Sequence, residues 1–334
     1  MIARLFEGVP RNGLAMLAVL AAVLLAVPLF ANDYFITVLI LILYFAYVGQ
    51  AWNIVTGFTG LLSLGHALYV GLGAYTAAAL YVHFGVGPWI GMLVSIPVAG
   101  LVGAILGFLA FRFGVSGVYF AILTIAFAEF ARVGFDHFRW VGGSGGFFLP
   151  VAQYSTNDLW LLRGKPVMFY YVILALATAA LIVSQLLLRS RIGYFWQAIR
   201  EDEPAARALG INAFRYKMLA MIISSAMTSL AGVFFAFFYN NLFPEQVFNI
   251  QRSIELILGP FIGGVGTLFG PILGAVLLTG LSEITNEFLA ALGLDIPGAR
   301  QVIYGICLLV VIVALPDGVW PWIARKIGLA ERKS

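Results

Sequence analysis

The sequence predicts an all-α polytopic membrane protein of about ten transmembrane helices arranged in two five-helix halves, and three observations carry that prediction. Hydrophobic residues make up 62% of the 334-residue chain and charged residues 10%, against roughly 25% charged in soluble domains. The mean hydropathy is +1.00. The apolar residues fall in long unbroken runs, not in the short alternating segments of a membrane β-barrel, and backbone groups in lipid must bond internally, so such runs become helices. The formal net charge of +4 sits mostly on the flanks of the runs and is topology information, with no nucleic-acid footprint.

Crossing ~30 Å of hydrocarbon takes about 17–25 apolar residues. In chain order the runs predict spans at Leu14–Phe30, Phe35–Thr56, Gly65–Tyr81, Pro88–Phe111, Val115–Val133, Met168–Leu188 and Phe214–Phe238. The first run also reads as a secretory leader with Leu29-Phe30-Ala31 as a poor cleavage site; we take it as a span. Beyond Ile254 the runs Ile254–Ile262, Leu268–Leu281 and Val302–Leu315 are short or interrupted by glycine. They predict three further spans, one or two of them broken or re-entrant. The expected organisation is one transmembrane domain over 1–334: a first half at 12–134, an outward loop at 135–167, a second half at 168–320 that includes a charged segment at 190–213, and a tail at 321–334.

Orientation follows from the positive-inside bias. With a cytoplasmic amino terminus, strict alternation puts Arg4, Arg11, Arg112, Arg189, Arg191, Arg200, Arg207, Arg215, Lys217, Arg325, Lys326, Arg332 and Lys333 on the cytoplasmic side, with the carboxyl terminus there too. The opposite side receives Asn32-Asp33, the His83–Gly87 turn, the 135–167 loop, the Tyr239–Ser253 loop and the Ala291–Arg300 loop, which still hold Arg139, Arg163, Lys165, Arg252 and Arg300. An odd number of spans in each half would invert one half relative to the other, a habit of transporters.

Two glycine-rich passages mark candidate helix breaks. Gly60 and Gly65 lie at the junction of the second and third spans, and Gly263, Gly264, Gly266 and Gly270 at that of the eighth and ninth. Each glycine costs about 1 kcal/mol of helix propensity, so such runs mean close helix packing or a break that turns backbone groups toward a substrate. Ser63 and His66 fall beside the first break. His66 reads either as a buried histidine tying two helices or as part of a pathway. Gln50, Asn53, Thr124, Ser225 and Thr228 complete the polar candidates for a translocation path; Thr56 beside the first two, and Ser224 and Ser229 beside the last two, extend the same polar stripes, with bonding across helices as the other reading. Glu129, Glu255, Glu283 and Glu287 lie near span ends, which favours pairing there, Glu129 with Arg132 and Glu255 near Arg252, over a proton relay.

Catalytic signatures are missing. Gly164-Lys165 precedes Pro166 and has Leu159 where a phosphate loop needs glycine, so the chain has no such ATP site. His83 and His137 stand alone, no metal-ligand spacing occurs, and the single cysteine, Cys307, allows neither an internal disulfide nor a cysteine metal site. The Gly142–Gly146 run reads as a flexible linker.

The charged segment carries the partner reading. Glu201, Asp202 and Glu203 precede Pro204, and Gly210 follows Leu209. Acids and proline at a helix start and glycine after its end predict a short helix over Pro204–Leu209, whose face of Ala205, Ala206 and Ala208 suits another protein's groove. An ordinary amphipathic loop helix is the plainer reading. Ala205-Ala206, Gly210 and the upstream acid resemble the cytoplasmic docking loop of ATP-binding-cassette importer permeases, with Pro204 where the strict motif has glutamate. The stretch from Ala198 through Arg200 to Asn212 resembles more closely the branched-chain amino acid permeases of the LivM and LivH type. So do Gly57–Tyr75, Tyr119–Glu129 and Gly263–Pro271, in that family's order and nearer its LivM branch.

The resemblance implies a type II ABC-importer-like permease in the bacterial inner membrane. It implies a second, LivH-like permease or a homodimer mate, two cytoplasmic ATPase subunits holding ATP-Mg, and a periplasmic binding protein delivering a branched-chain or related amino acid. This chain would bind no cofactor itself and perform no catalysis. Arg200, Glu201, Asp202, Glu203, Ala205, Ala206, Gly210 and Asn212 would couple it to the ATPases. Urea, short amides or sugar remain open as cargo, as does an ATP-independent secondary transporter.

Overall fold

The computed structural model describes residues 19, 21–150, 157–291 and 298–327. Six helices among them are long and apolar enough to cross a membrane. These are α1 (Asp33–Thr59), α2 (His66–Phe84), α3 (Pro88–Arg112), α4 (Gly117–His137), α5 (Pro166–Leu188) and, after the short α6 (Arg191–Glu201) and α7 (Glu203–Ala208), α8 (Ala213–Tyr239). They coincide with the six spans expected between Phe35 and Phe238. The expected first span, Leu14–Phe30, lies partly outside the described residues; among those described, 21–26 are helical and Val27–Leu29 forms a 3-10 turn.

Contacts between connections fix the direction of each helix. Arg200 reaches Gly57 just before the end of α1, and Lys217 lies over the Phe111 ring at the end of α3, so these connections share one end of the bundle, here the α7 end. At the other, His83 bonds the Trp140 carbonyl and Trp89 the Leu159 carbonyl. There β1 (Phe147–Phe148) pairs antiparallel with β2 (Asn241–Leu242), which makes this the β end. The loops group as strict alternation requires.

Burial separates centre from periphery. In the most apolar 18-residue windows, 61% of α1, α2 and α8 is buried, against 22% of α4 and α5. α8, from the second half, packs against α1, α2 and α3 of the first, so the two halves interlock. Close approach requires glycine here: a Cβ at Gly73 would overlap the Ser229 carbonyl, and one at Gly232 the Val70 carbonyl. The α2–α8 seam is built as membrane helices pack, small residue against backbone.

The region after α8 departs from expectation. Tyr239–Ser253, predicted as an outward loop, contains β2, the short helix α9 (Pro244–Phe248) and the start of α10 (Ile250–Gly263). Val247, Phe248 and Ser253 are buried, and the Phe248 ring stacks on Tyr75 at 5.7 Å. Arg252 accordingly sits among aromatic rings and not in a loop. The polar signals Pro244 and Asn249 open helices instead of ending them, Asn249 accepting from the Arg252 amide at 2.7 Å. α10 has 14 residues and rises only about 21 Å. It turns at Gly264 into α11 (Gly270–Ala291), apolar over Gly270–Thr285, which is followed by α12 (Ala299–Ala314) and α13 (Val319–Ile327). The expected tail at 321–334 thus begins inside a packed helix. Val319 packs on the Leu258, Ile262 and Leu278 cluster, and Trp320 lies against Phe269. The Gly142–Gly146 run, expected as a flexible linker, holds a 3-10 turn at Gly143–Gly145, directly after another at Arg139–Val141. A Cβ at Gly142 would overlap the Gly146 carbonyl, and Gly146 lies close against the Phe243 ring.

Candidate functional site

The charged segment folds into a small cap at the α7 end. Ser190 opens α6 by accepting from the Gly193 amide, and α6 turns Trp196 and Ile199 inward while Tyr194 stays outside. Trp196 Nε1 donates to the Tyr216 carbonyl at 2.8 Å, which pins α6 to the start of α8. Asp202 caps α7 through the Ala205 amide at 2.9 Å, with Pro204 in the first turn as a missing N–H permits. Asn212 caps α8 through the Arg215 amide at 3.0 Å. Gly210 has φ +86° and open space around it, so it is needed for its backbone angle.

Glu203 joins the cap to the bundle, pairing with Arg207 at 2.5 Å and with the buried Lys217. Burial, the largest single influence, raises its pKa, but the Lys217 and Arg207 partners together bring it below the ordinary carboxylate value of 4.5.

The expected face of Ala205, Ala206 and Ala208 is divided. Ala206 packs inward with Ile199 and Ala213, because successive helical residues are rotated by about 100°. The outward surface of α7 is Pro204, Ala205, Arg207 and Ala208, continued by Glu201, Asp202, Leu209 and Gly210.

Arg200 links this cap to both glycine breaks. Its guanidinium donates to the Gly57 carbonyl at 2.5 Å, and its stem lies beside Gly60 and its head beside Gly266. Asn53 accepts from the Gly266 amide at 2.8 Å and donates to the Thr267 carbonyl at 2.9 Å. Gln50 donates to the Leu268 carbonyl at 2.5 Å. The last turns of α1 therefore clamp the turn between α10 and α11. Gly263 and Gly270 meet at the base of that turn, where a Cβ on Gly263 would overlap the Gly270 carbonyl and one on Gly270 the Gly264 carbonyl.

Gly60 and Gly65 bound a non-helical segment between α1 and α2. Such backbone is tolerated at membrane depth only where protein satisfies it. Thr56 donates to the Leu61 carbonyl and accepts from the Ser63 amide. Trp52 Nε1 donates to the Ser63 carbonyl, the Leu64 amide to Thr124, and the Ala67 amide to Ser253. His66 is fully buried, with Nδ1 3.1 Å from Ser63 Oγ and Nε2 2.9 Å from Ser224 Oγ. Ser224 spends its only proton on the Ala51 carbonyl at 2.7 Å. It must therefore accept from His66 Nε2–H, which leaves Nδ1 to accept from Ser63. One neutral tautomer satisfies the whole chain of bonds.

The sequence candidates thus fall into three places. Ser63, His66 and Thr124 meet at the first break, and Gln50 and Asn53 at the second. Ser225 and Thr228 bond carbonyls of their own helix α8. All seven are buried and bonded to protein. Sequence reasoning missed Trp52 and Ser253 as partners, because an indole inside an apolar helix looks like ordinary core and Ser253 fell in an expected loop, whereas Thr56 and Ser224 belong to the polar stripes expected of their spans. Of the carboxylates, Glu129 pairs with Arg132 at 2.6 Å, Glu255 with Arg252 at 3.2 Å, and Glu283 accepts from the Tyr34 hydroxyl at 2.9 Å. His83 stacks on Trp140.

Interlocked membrane helices, two non-helical turns inside the bundle and an amphipathic cap tied to both define a multi-pass membrane protein of the permease class. The family model described as "Branched-chain amino acid transport system / permease component" matches residues 34–313, and the chain belongs to that family. It is 34% identical over 265 residues to the high-affinity branched-chain amino acid transport system permease protein LivM of Salmonella typhimurium, covering 72% of this chain and 61% of that one. The Escherichia coli LivM gives the same figures. The nucleoside ABC transporter permease protein NupB of Lactococcus lactis is 27% identical over 139 residues, 41% of this chain and 38% of that one. The match to the LivM proteins thus spans about three fifths of their length. No solved structure matches at a significant level.

Proposed function

We propose that this chain is the membrane-spanning subunit of an ATP-driven importer for branched-chain or related amino acids in a bacterial inner membrane. Separate ATPase subunits would hydrolyse the ATP, a second permease or another copy would complete the conduit, and a periplasmic binding protein would deliver the cargo. The α7 end faces the cytoplasm in this reading. The observation that carries it is Arg200: the same side chain belongs to the exposed cap and holds the carbonyl of Gly57 beside the Gly266 turn. A push on α6 and α7 is thereby delivered to both breaks, where helix ends shift between outward and inward access. Family membership and the LivM relatives support the cargo class. A relative named for nucleosides supports a second reading in which the cargo is not an amino acid.

The test is to separate hydrolysis from uptake. Arg200→Ala and Gly210→Val, made in cells carrying the chain with its own partners, are expected to keep membrane levels and ATPase activity while leucine uptake falls about tenfold or more, within the usual range of a coupling free energy. Normal uptake by both variants contradicts the coupling role.

A further inference from the structure

Between the end of α8 and the start of α10 lies a cleft of about 340 Å³, within the range of small-molecule sites, roughly 300–1,000 Å³. Beside Phe235 and Tyr239 it is lined by six polar residues: Asn241, Gln246, Asn249, Gln251, Arg252 and Glu255. The depth follows from what Arg252 touches. Its guanidinium lies 5.8 Å from the Tyr44 ring and 5.0 Å from the Phe235 ring, about three turns into α1 and one turn short of the end of α8. Lipid satisfies neither charge, so an opposed Arg252–Glu255 pair at this level requires water or a polar ligand.

The pair has capacity to spare. Arg252 Nη1 meets Glu255 Oε2 through a single 3.2 Å contact, and Arg252 Nε has no hydrogen-bond partner among the described residues. A guanidinium offers five donors and a carboxylate two oxygens. Three aromatic rings pack around the guanidinium, a setting that suits its charge. Asn241, Gln246 and Gln251 are exposed, so the cleft is open to an incoming molecule.

We infer that this cleft is a transit site for an α-amino acid zwitterion, Arg252 receiving the carboxylate and Glu255 the ammonium. The inference rests on the importer reading and deepens it, because a nucleoside carries neither charged group and gains nothing from such a pair. It also places the site at the β end, the outward end in that reading. A lipid headgroup with a primary ammonium and a phosphate offers similar chemistry, so the test must tell the two sources apart.

The full chain carrying Cys307→Ser and Gln251→Cys, in nanodiscs of phosphatidylcholine, is labelled with a maleimide. Leucine is expected to slow labelling several-fold, while leucinamide, 4-methylpentanoate and uridine leave it unchanged. Arg252→Gln or Glu255→Gln should remove the protection. The unfolding temperature of the unsubstituted chain, raised by leucine and not by leucinamide, gives the same readout without a reporter cysteine. Equal protection by leucine and its two truncated analogues overturns the inference, as does no protection, or protection by phosphatidylethanolamine alone. In cells with the chain's own partners, the two variants should raise the KM for leucine about tenfold to a hundredfold, the loss of one charge-assisted bond. Leucine uptake by the parent chain with unchanged KM in both variants overturns the site and leaves the importer reading standing. No leucine uptake by the parent chain overturns the importer reading itself.

Discussion

His66 is fixed by two serines whose protons are already assigned, Ser224 to the Ala51 carbonyl and Ser63 to the ring. Truncating it strands one donor and one acceptor in the buried centre. His66→Ala is therefore expected to lower stability by about 1–3 kcal/mol, read as a drop in the unfolding temperature of the purified chain in detergent; an unchanged temperature contradicts the bonding scheme. Glu203 makes a pH prediction. Its folded pKa lies below its ordinary value of 4.5, so its contribution is complete above that value and fades as pH falls through the lowered one. Protection of the α7 amides, taken relative to the intrinsic exchange rate at each pH, should fall on acidification below about pH 4.5, and Glu203→Gln should lower it at neutral pH and remove the acid dependence. At this scale the sequence was readable where a residue is rare. A lone histidine beside glycines drew attention, but its tautomer depends on Ser224, 158 residues away, and no local spacing encodes that.

Among elements, the six long spans were legible because each is a continuous apolar run bounded by glycine, proline or charge. α9 was not, and α10 was legible only from Ile254 onward. Hydropathy treats Pro244, Asn249 and Arg252 as loop residues, whereas proline and asparagine here open helices and Arg252 is sheltered by aromatic rings. The α2–α8 seam gives a prediction of its own. Gly73→Ala and Gly232→Ala each place a methyl against an opposing carbonyl, an overpacking that costs about 1–3 kcal/mol. Gly134→Ala, with nothing near its Cβ position, should be neutral or slightly stabilising in the same unfolding assay. Similar losses at all three glycines would mean that backbone propensity, not close packing, explains the seam.

For the whole molecule, the interlocking of halves and the clamp of α1 on the α10–α11 turn make the cap, the two breaks and the bundle centre one connected body. Counting spans suggested two five-helix halves but not how they meet; that α8 inserts among α1, α2 and α3 depends on helix order in space, which hydropathy does not record. The cap itself was visible in the sequence, because acids, proline and glycine at helix-end spacing are local signals, while the reach of Arg200 to Gly57, 143 residues distant, is not. The measurement closest to the centre of this account is photocrosslinking from a benzophenone placed on Leu209→Cys in a Cys307→Ser background, in native membranes with the chain's own partners. Leu209 is 82% exposed at the tip of the cap. The account predicts an adduct with a nucleotide-hydrolysing subunit on the cytoplasmic face; adducts with lipid or exterior proteins alone would contradict it.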